Sequence, residues 1–176
     1  MQFHIRQELP KDYREVFSLI EKAYKNEELS DHQEQFLIER LRKSRAFVPG
    51  LSLVAEQDDT IVGHILLTRV QIKNDENNHE SLALAPISVL PEYQKRGIGG
   101  MLINAAHQKA KELNFGSIVL LGHDKYYPRF GYRPSIYFGI TFPFDVPSEN
   151  CMAIELVPNA LRDVSGTVEY PKELFQ

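Results

Sequence analysis

The chain has 176 residues, of which 43% are apolar and 25% charged, and its formal net charge is −4. That length suits one globular domain burying roughly 70% of the surface its unfolded chain exposes, and the acid excess argues against a general nucleic-acid binder. No run approaches the ~18 apolar residues of a membrane span, and the one cysteine, Cys151, excludes an internal disulfide and suits a reducing cytoplasm.

The opening "MQFHIRQELP" lacks a charged region followed by an apolar run, so no signal peptide is expected there. Phe3, Ile5 and Leu9 suggest a short first strand. Tyr13, Val16, Phe17, Ile20 and Tyr24 then fall at helical spacing after Pro10. A second helix is expected from Ser30 or Asp31, because Ser30–Gln33 and Asp31–Glu34 both read as capping boxes ahead of Phe36, Leu37 and Leu41. Pro49-Gly50 reads as a break. Residues 51–72 read as a hairpin turning at Asp58-Asp59, and "SLALAPISVL", 81–90, as a third strand. Ile98, Leu102, Ala106, Ala110 and Leu113 predict one apolar face of a helix that Asn114 and Gly116 end. "SIVLLG", 117–122, is a short buried strand, and strand-like segments recur at 136–142 and 152–157. The last dozen residues, with Pro171, are expected as an ordered loop or ragged end. A strand meander followed by one strand–helix–strand crossover predicts a mixed sheet with flanking helices, an α/β chain of the α+β kind.

Between strand and helix stands "QKRGIGG", Gln94 to Gly100. A helix start offers about four unpartnered N–H groups and a partial positive charge, and glycines let a ligand come close. The stretch fits neither the nucleoside-triphosphatase loop, since Lys95 and Arg96 precede the glycines, nor the dinucleotide Gly-x-Gly-x-x-Gly. A plain tight turn also accounts for glycines alone. Pro86 adds a second signal. Proline cannot donate to a ladder, so it implies a bulge or an edge. The backbone of Ile87, Ser88 and Val89 is then free to pair with an extended ligand that carries amides and ends in phosphates at the loop. A structural bulge without a ligand is the alternative.

Gln94-Lys95-Arg96-Gly97-Ile98-Gly99 resembles the Gln/Arg-x-x-Gly-x-Gly/Ala motif of the GNAT superfamily of acyl-CoA N-acyltransferases. Pro91 at the strand end, the helix after the motif, and "YYPRFGY" are similar to the family's order, with Tyr132 where the family's Tyr-x-x-x-Gly-Phe has phenylalanine. "LLGHDKYYPRFGY" looks like small bacterial-type acetyltransferases. The resemblance implies a largely antiparallel central sheet whose bulged strand leads into a pyrophosphate-binding loop and helix, with residues 1–176 as a single N-acetyltransferase domain. It implies acetyl-CoA as cosubstrate and no metal. The motif from Gln94 through Lys95, Arg96, Gly97, Ile98 and Gly99 to Gly100 would hold the pyrophosphate, and Ile87 and Val89 would pair with the pantetheine amides. Lys95 and Arg96 read either as point charges on those phosphates or as a solvated turn.

Acetyl transfer to an amine needs a neutral amine, a polarised carbonyl and a protonated leaving thiolate. An amine of pKa ~10.4 is neutral at pH 7 in fewer than roughly one molecule in a thousand, so a base or water chain must take its proton. An acid near the sulfur is worth ~10²–10⁴ in rate. By the resemblance Tyr127 is that acid and Tyr126 its rival, the other reading being that both pack around Pro128. Glu56, His64, Glu80, His123 and Asp124 are candidate bases, and a relay of waters without a dedicated base stands beside them. The six histidines show no metal-ligand spacing. Cys151 reads as a buried structural thiol rather than an acyl carrier. Direct attack in a ternary complex, on a small-molecule or protein primary amine, is the expected reaction, with neither nucleic acid nor membrane as partner; a homodimer is left open. An acyl-CoA-binding module without turnover, and an α/β binding protein whose glycine turn holds nothing, are the competing readings.

Overall fold

The computed structural model describes residues 2–176. Strands β1 (His4–Gln7), β2 (Phe47–Gln57), β3 (Thr60–Lys73) and β4 (Asn78–Val89) form an antiparallel run. Leu51–Ala55 and Ile61–Thr68 are buried at every residue, so these strands read as continuous apolar runs because both faces are covered. The β2–β3 turn is the expected one. Asp58 and Asp59 take φ of 49° and 62°, and Gln57 pairs with Thr60, the twist-matched geometry of a two-residue hairpin.

The sheet continues through β5 (Ser117–Leu121), parallel to β4, then β8 (Cys151–Glu155) and β6 (Arg133–Pro134). Two further strands, β7 (Ile140–Thr141) and β9 (Gly166–Glu169), pair in parallel, and β9 lies antiparallel to β3 at Gln71–Lys73. The result is the mixed, largely antiparallel sheet that was expected. Helices α1 (Tyr13–Tyr24) and α2 (Glu34–Arg42) cover one face and α3 (Ile98–Glu112) the other. Two neighbours on β3 show this. A β-carbon on Gly63 would meet Leu102 and Ile98 of α3, whereas His64, pointing the opposite way, contacts Glu8, which Arg42 of α2 also binds. No helix among the described residues is long and apolar enough to cross a membrane.

Helix α3 buries Ile98, Leu102, Ile103, Ala106 and Ala110. Truncating Leu102 to alanine would cost about 2–5 kcal/mol. Leu113, assigned to that face by spacing, is 41% exposed, because the helix has already ended: Asn114 turns left-handed at φ 66°. Phe115 N donates to Ala110 O at 2.9 Å and Asn114 N to Lys111 O at 3.0 Å, a Schellman closure.

Four local expectations are corrected. Helix α2 begins at Glu34, not at Ser30 or Asp31. Ser30 Oγ instead bonds the Glu34 carboxylate and accepts from His32 N, while Asp31 Oδ1 accepts from Gln33 N, so these side chains build a turn ahead of the helix. Pro49-Gly50 lies within β2, where the register passes from Phe47↔Thr68 to Ser52↔Leu66 as a bulge. In 136–142 only Ile140–Thr141 is strand, preceded by a 3-10 turn at Ser135–Phe138. The last dozen residues contain β9 and a 3-10 turn at Lys172–Phe175.

Pro86 does sit in a bulge. Ile65 pairs with Ile87 and Leu67 with Leu84, leaving Ala85 and Pro86 opposite Leu66 alone. On its other edge β4 pairs with β5 only at Leu82↔Ile118 and Ala83↔Val119. Beyond those pairs the two strands part, and a wedge opens beside Ile87–Val89.

Candidate active site

Leu90 N donates to Val62 O at 2.9 Å, so Leu90 and Ser88 direct their backbone groups to β3. By alternation those of Ile87 and Val89 face the wedge. Their carbonyls are met there by side chains only: the Tyr24 hydroxyl donates to Ile87 O at 3.1 Å, and Gln94 Nε2 to Val89 O at 3.2 Å.

The wedge ends at the glycine loop. Lys95 and Gly97 both take left-handed φ, 63° and 81°, and α3 opens at Ile98 with no side-chain cap. The first amide to re-enter the helical ladder is Met101 N, to Gly97 O at 3.1 Å; the N–H groups from Lys95 to Gly100 find no acceptor among the described residues. Amides gathered this way at a helix start form an anion-binding nest. A β-carbon on Gly99 would stand 3.0 Å from the Tyr126 hydroxyl, and one on Gly100 3.3 Å from the Phe130 ring. A side chain at either position would push back the tyrosine or the phenylalanine of the segment after β5.

Strand, loop and that segment enclose a cleft of about 690 Å³. Every residue singled out above for the coenzyme or the acid borders it except Arg96, whose guanidinium lies over the Tyr93 ring at 5.1 Å. The two tyrosines sit differently. Tyr127 is 8% exposed, and its ring occupies the space a side chain on Gly122 would need. Burial, with Tyr24 and Tyr126 nearby, pushes its phenol well above the ordinary range, so it is a donor at neutral pH. The Tyr126 hydroxyl points instead to the first turn of α3, and Arg129 stacks on its ring at 4.8 Å.

Of the candidate bases, only His123 borders the cleft. Glu56 is held by Arg6 at 3.1 Å. Glu80 is exposed near the start of β4, roughly 20 Å along the strand from Ile87. Asp124 is exposed outside the cleft, and His64 is wholly buried against Glu8 and Ser52. Tyr24 and Gly122 were missed as site residues, and Ser88, expected to offer its backbone to the ligand, instead turns that backbone to β3 opposite His64. Helical spacing marked Tyr24 as core, which its ring is, and nothing local shows that its hydroxyl reaches the bulged strand. No group of three or more metal-ligating side chains occurs among the described residues.

The family model described as Acetyltransferase (GNAT) family matches residues 13–132. The uncharacterized N-acetyltransferase YjhQ of Escherichia coli strain K12 is 35% identical over 119 residues, which span 67% of this chain and 66% of that protein. A GNAT family acetyltransferase from Brucella melitensis, solved in complex with acetyl-CoA, superposes with a TM-score of 0.80 at 30% identity, covering 99% of each chain. The Escherichia coli N-acetyltransferase YhbS, solved in complex with CoA, superposes at 0.89 over 100% of this chain and 93% of its own; at 21% identity that likeness speaks for the fold.

Proposed function

The chain belongs to the GNAT acetyltransferase family, and on that premise we propose that residues 1–176 act as one cytoplasmic N-acetyltransferase domain, moving an acetyl group from acetyl-CoA to a primary amine by direct attack in a ternary complex. The observation that carries this reading is the continuity of the cleft. Unpartnered amides from Lys95 to Gly100 lie at one end, and the wedge-facing carbonyls of Ile87 and Val89 follow. A pyrophosphate suits the first and the amides of a pantetheine arm the second. The acetyl-CoA bound to the Brucella melitensis relative supports the same cosubstrate here.

The thioester end then lies toward the bulge at Pro86, and Tyr127 protonates the departing sulfur. Tyr126, whose hydroxyl turns toward Gly99 while its ring lies 5.0 Å from that of Tyr127, is the rival for that role. The acceptor is a small-molecule or protein amine. The test is a thiol-release assay with acetyl-CoA and a panel of polyamine, aminoglycoside, amino acid and peptide acceptors. Amine-dependent release is expected. Acetyl-CoA binding without release under any acceptor would favour a binding module, and absence of binding would leave the glycine turn empty.

A further inference from the structure

Four adjacent strands each bring one polar residue to the buried face beneath α1 and α2. Glu8 follows β1 and stays in register through its N–H to Ser52 O at 2.8 Å. Arg42 of α2 grips the Glu8 carboxylate through Nε at 3.0 Å and Nη2 at 2.8 Å. Ser52 Oγ donates to Glu8 Oε1 at 3.1 Å, and His64 Nε2 lies 3.0 Å from Glu8 Oε2. Burial alone would raise the Glu8 carboxyl, but the donors from His64 and Arg42 outweigh it and hold it down to about 2. Beside a carboxylate, Nε2 carries the imidazole proton and Nδ1 keeps the lone pair. That Nδ1 is buried with no partner.

The cross-strand partner of His64 on β4 is Ser88, and Ser88 Oγ is also buried with no partner. Buried polar atoms without partners are rare; here two stand on one cross-strand pair. Ser88 lies between the two residues whose carbonyls face the wedge, and it borders the cleft. Its hydroxyl is near enough to that of Tyr24 to oppose the rise that burial imposes on the phenol, to about 12, though out of hydrogen-bonding geometry. The titratable and charged groups around His64 are thus Glu8 beside β1, Arg42 from α2 and, past Ser88, Tyr24 from α1 with Glu34 beyond it.

We propose that Ser88, His64 and Glu8 form a proton relay that deprotonates the acceptor amine, an inference that rests on the transferase reading. The acceptor ammonium gives one proton to Ser88 Oγ, which passes its own hydroxyl proton to His64 Nδ1 through one bridging water, because the two atoms are not in hydrogen-bonding contact. Glu8 stabilises the imidazolium and Arg42 keeps Glu8 ionised. The freed nitrogen bonds to the thioester carbonyl carbon and the carbon–sulfur bond breaks. The sulfur takes the Tyr127 proton, and the second nitrogen proton restores Tyr127. The relay proton leaves to solvent with the products. Ser88 meets the amine once acceptor entry uncovers its buried hydroxyl; His64 and Glu8 are positioning residues that act through it.

The test measures kcat and the KM for acetyl-CoA across roughly pH 5–9 for the parent, His64→Gln, Ser88→Ala, Ser88→Thr and the double variant of the first two. Glutamine keeps a donor to Glu8 but cannot take up the relayed proton. Both His64→Gln and Ser88→Ala are expected to lose about ten-fold or more in kcat near neutrality, with the KM for acetyl-CoA unchanged. Their rates should climb back toward the parent at high pH, where the amine deprotonates unaided. The double variant should be no slower than either single one, and Ser88→Thr should recover most of the rate. Parental kcat and pH profile in Ser88→Ala, which leaves Glu8 and His64 untouched, overturns the relay even where His64→Gln fails to fold. A loss equal at every pH also overturns it, since a packing defect does that. A folded parent that releases no thiol with any amine overturns the transferase reading and the relay together.

Discussion

The Tyr126 hydroxyl stands 3.0 Å from the point a β-carbon on Gly99 would occupy. The first turn of α3 and the segment after β5 therefore touch across the mouth of the cleft, and the bare backbone of the glycine run serves two neighbours, the tyrosine and any anion on the amides.

Gly99→Val puts a branched side chain into that contact. The position is helical with no left-handed φ, so helix propensity does not penalise valine relative to glycine, and the cost lies in moving the Tyr126 hydroxyl. The fold should survive, Tyr126 should be displaced, and acetyl-CoA affinity should fall by about ten-fold or more, because the valine covers amides that would meet the pyrophosphate. Calorimetry on a folded variant decides; unchanged affinity removes the phosphate-loop assignment.

Tyr127→Phe removes a hydroxyl and keeps the ring over Gly122. If Tyr127 protonates the leaving sulfur, acetyl-CoA affinity stays and kcat falls by about ten- to a thousand-fold, since the loss is confined to the transition state. Tyr126→Phe should have the smaller effect. Single-turnover rates of both variants make the comparison, and reversal of the two effects would move the acid to Tyr126.

Cys151 opens β8 opposite Leu121, is buried, and has its sulfur 3.7 Å from Pro147 O. Burial, with Glu149 adding to it, raises the thiol above its ordinary range, the wrong direction for a nucleophile. Cys151→Ala should keep most of the turnover. A folded, coenzyme-binding Cys151→Ala protein without activity, together with an acyl-thioester trapped on the parent, would replace direct attack by a two-step transfer.

His107 lies 2.8 Å from the buried Tyr132 hydroxyl, and burial, helped by Lys111, lowers its pKa to about 4. Its value in the unfolded chain is ~6.5, so between about pH 4 and 6.5 the unfolded state binds more protons and stability rises with pH. Acidification through that window should lower Tm in the parent, while His107→Gln, which cannot titrate, should hold nearly level down to about pH 4.5. Below that, Glu8 lowers the stability of both proteins, because it takes a proton in the unfolded chain while staying ionised down to about 2 when folded. Melting curves in steps of pH check it; parallel curves for the two proteins would contradict it.

The features legible in the sequence were those set by one residue's own backbone chemistry. Asp58-Asp59 made its turn, Pro86 made its bulge, and "QKRGIGG" made a loop of free amides at a helix start. Each depends on φ preferences or a missing donor, which neighbours in the chain decide. Capping at Ser30 failed because side chains with several local acceptors choose among turns of similar energy.

What the tertiary structure alone decided is long-range. The stretch holding β9 reads as an ordered loop or ragged end because its strand character comes from β3: Lys73 meets Glu169 across 96 residues, on the flank of β3 beyond its last pairing with β2 at Thr68. The different settings of two adjacent tyrosines, Tyr127 buried over Gly122 and the Tyr126 hydroxyl turned to Gly99, come from tertiary packing too. The row Glu8–Ser52–His64–Ser88 is drawn from four strands and has no spacing to read, since sheet register, not sequence distance, brings its members onto one face. The chain itself determined the amides that suit an anion. Pairing between distant strands decided which polar side chains stand behind them, because a buried polar atom takes its meaning from whatever the sheet sets beside it.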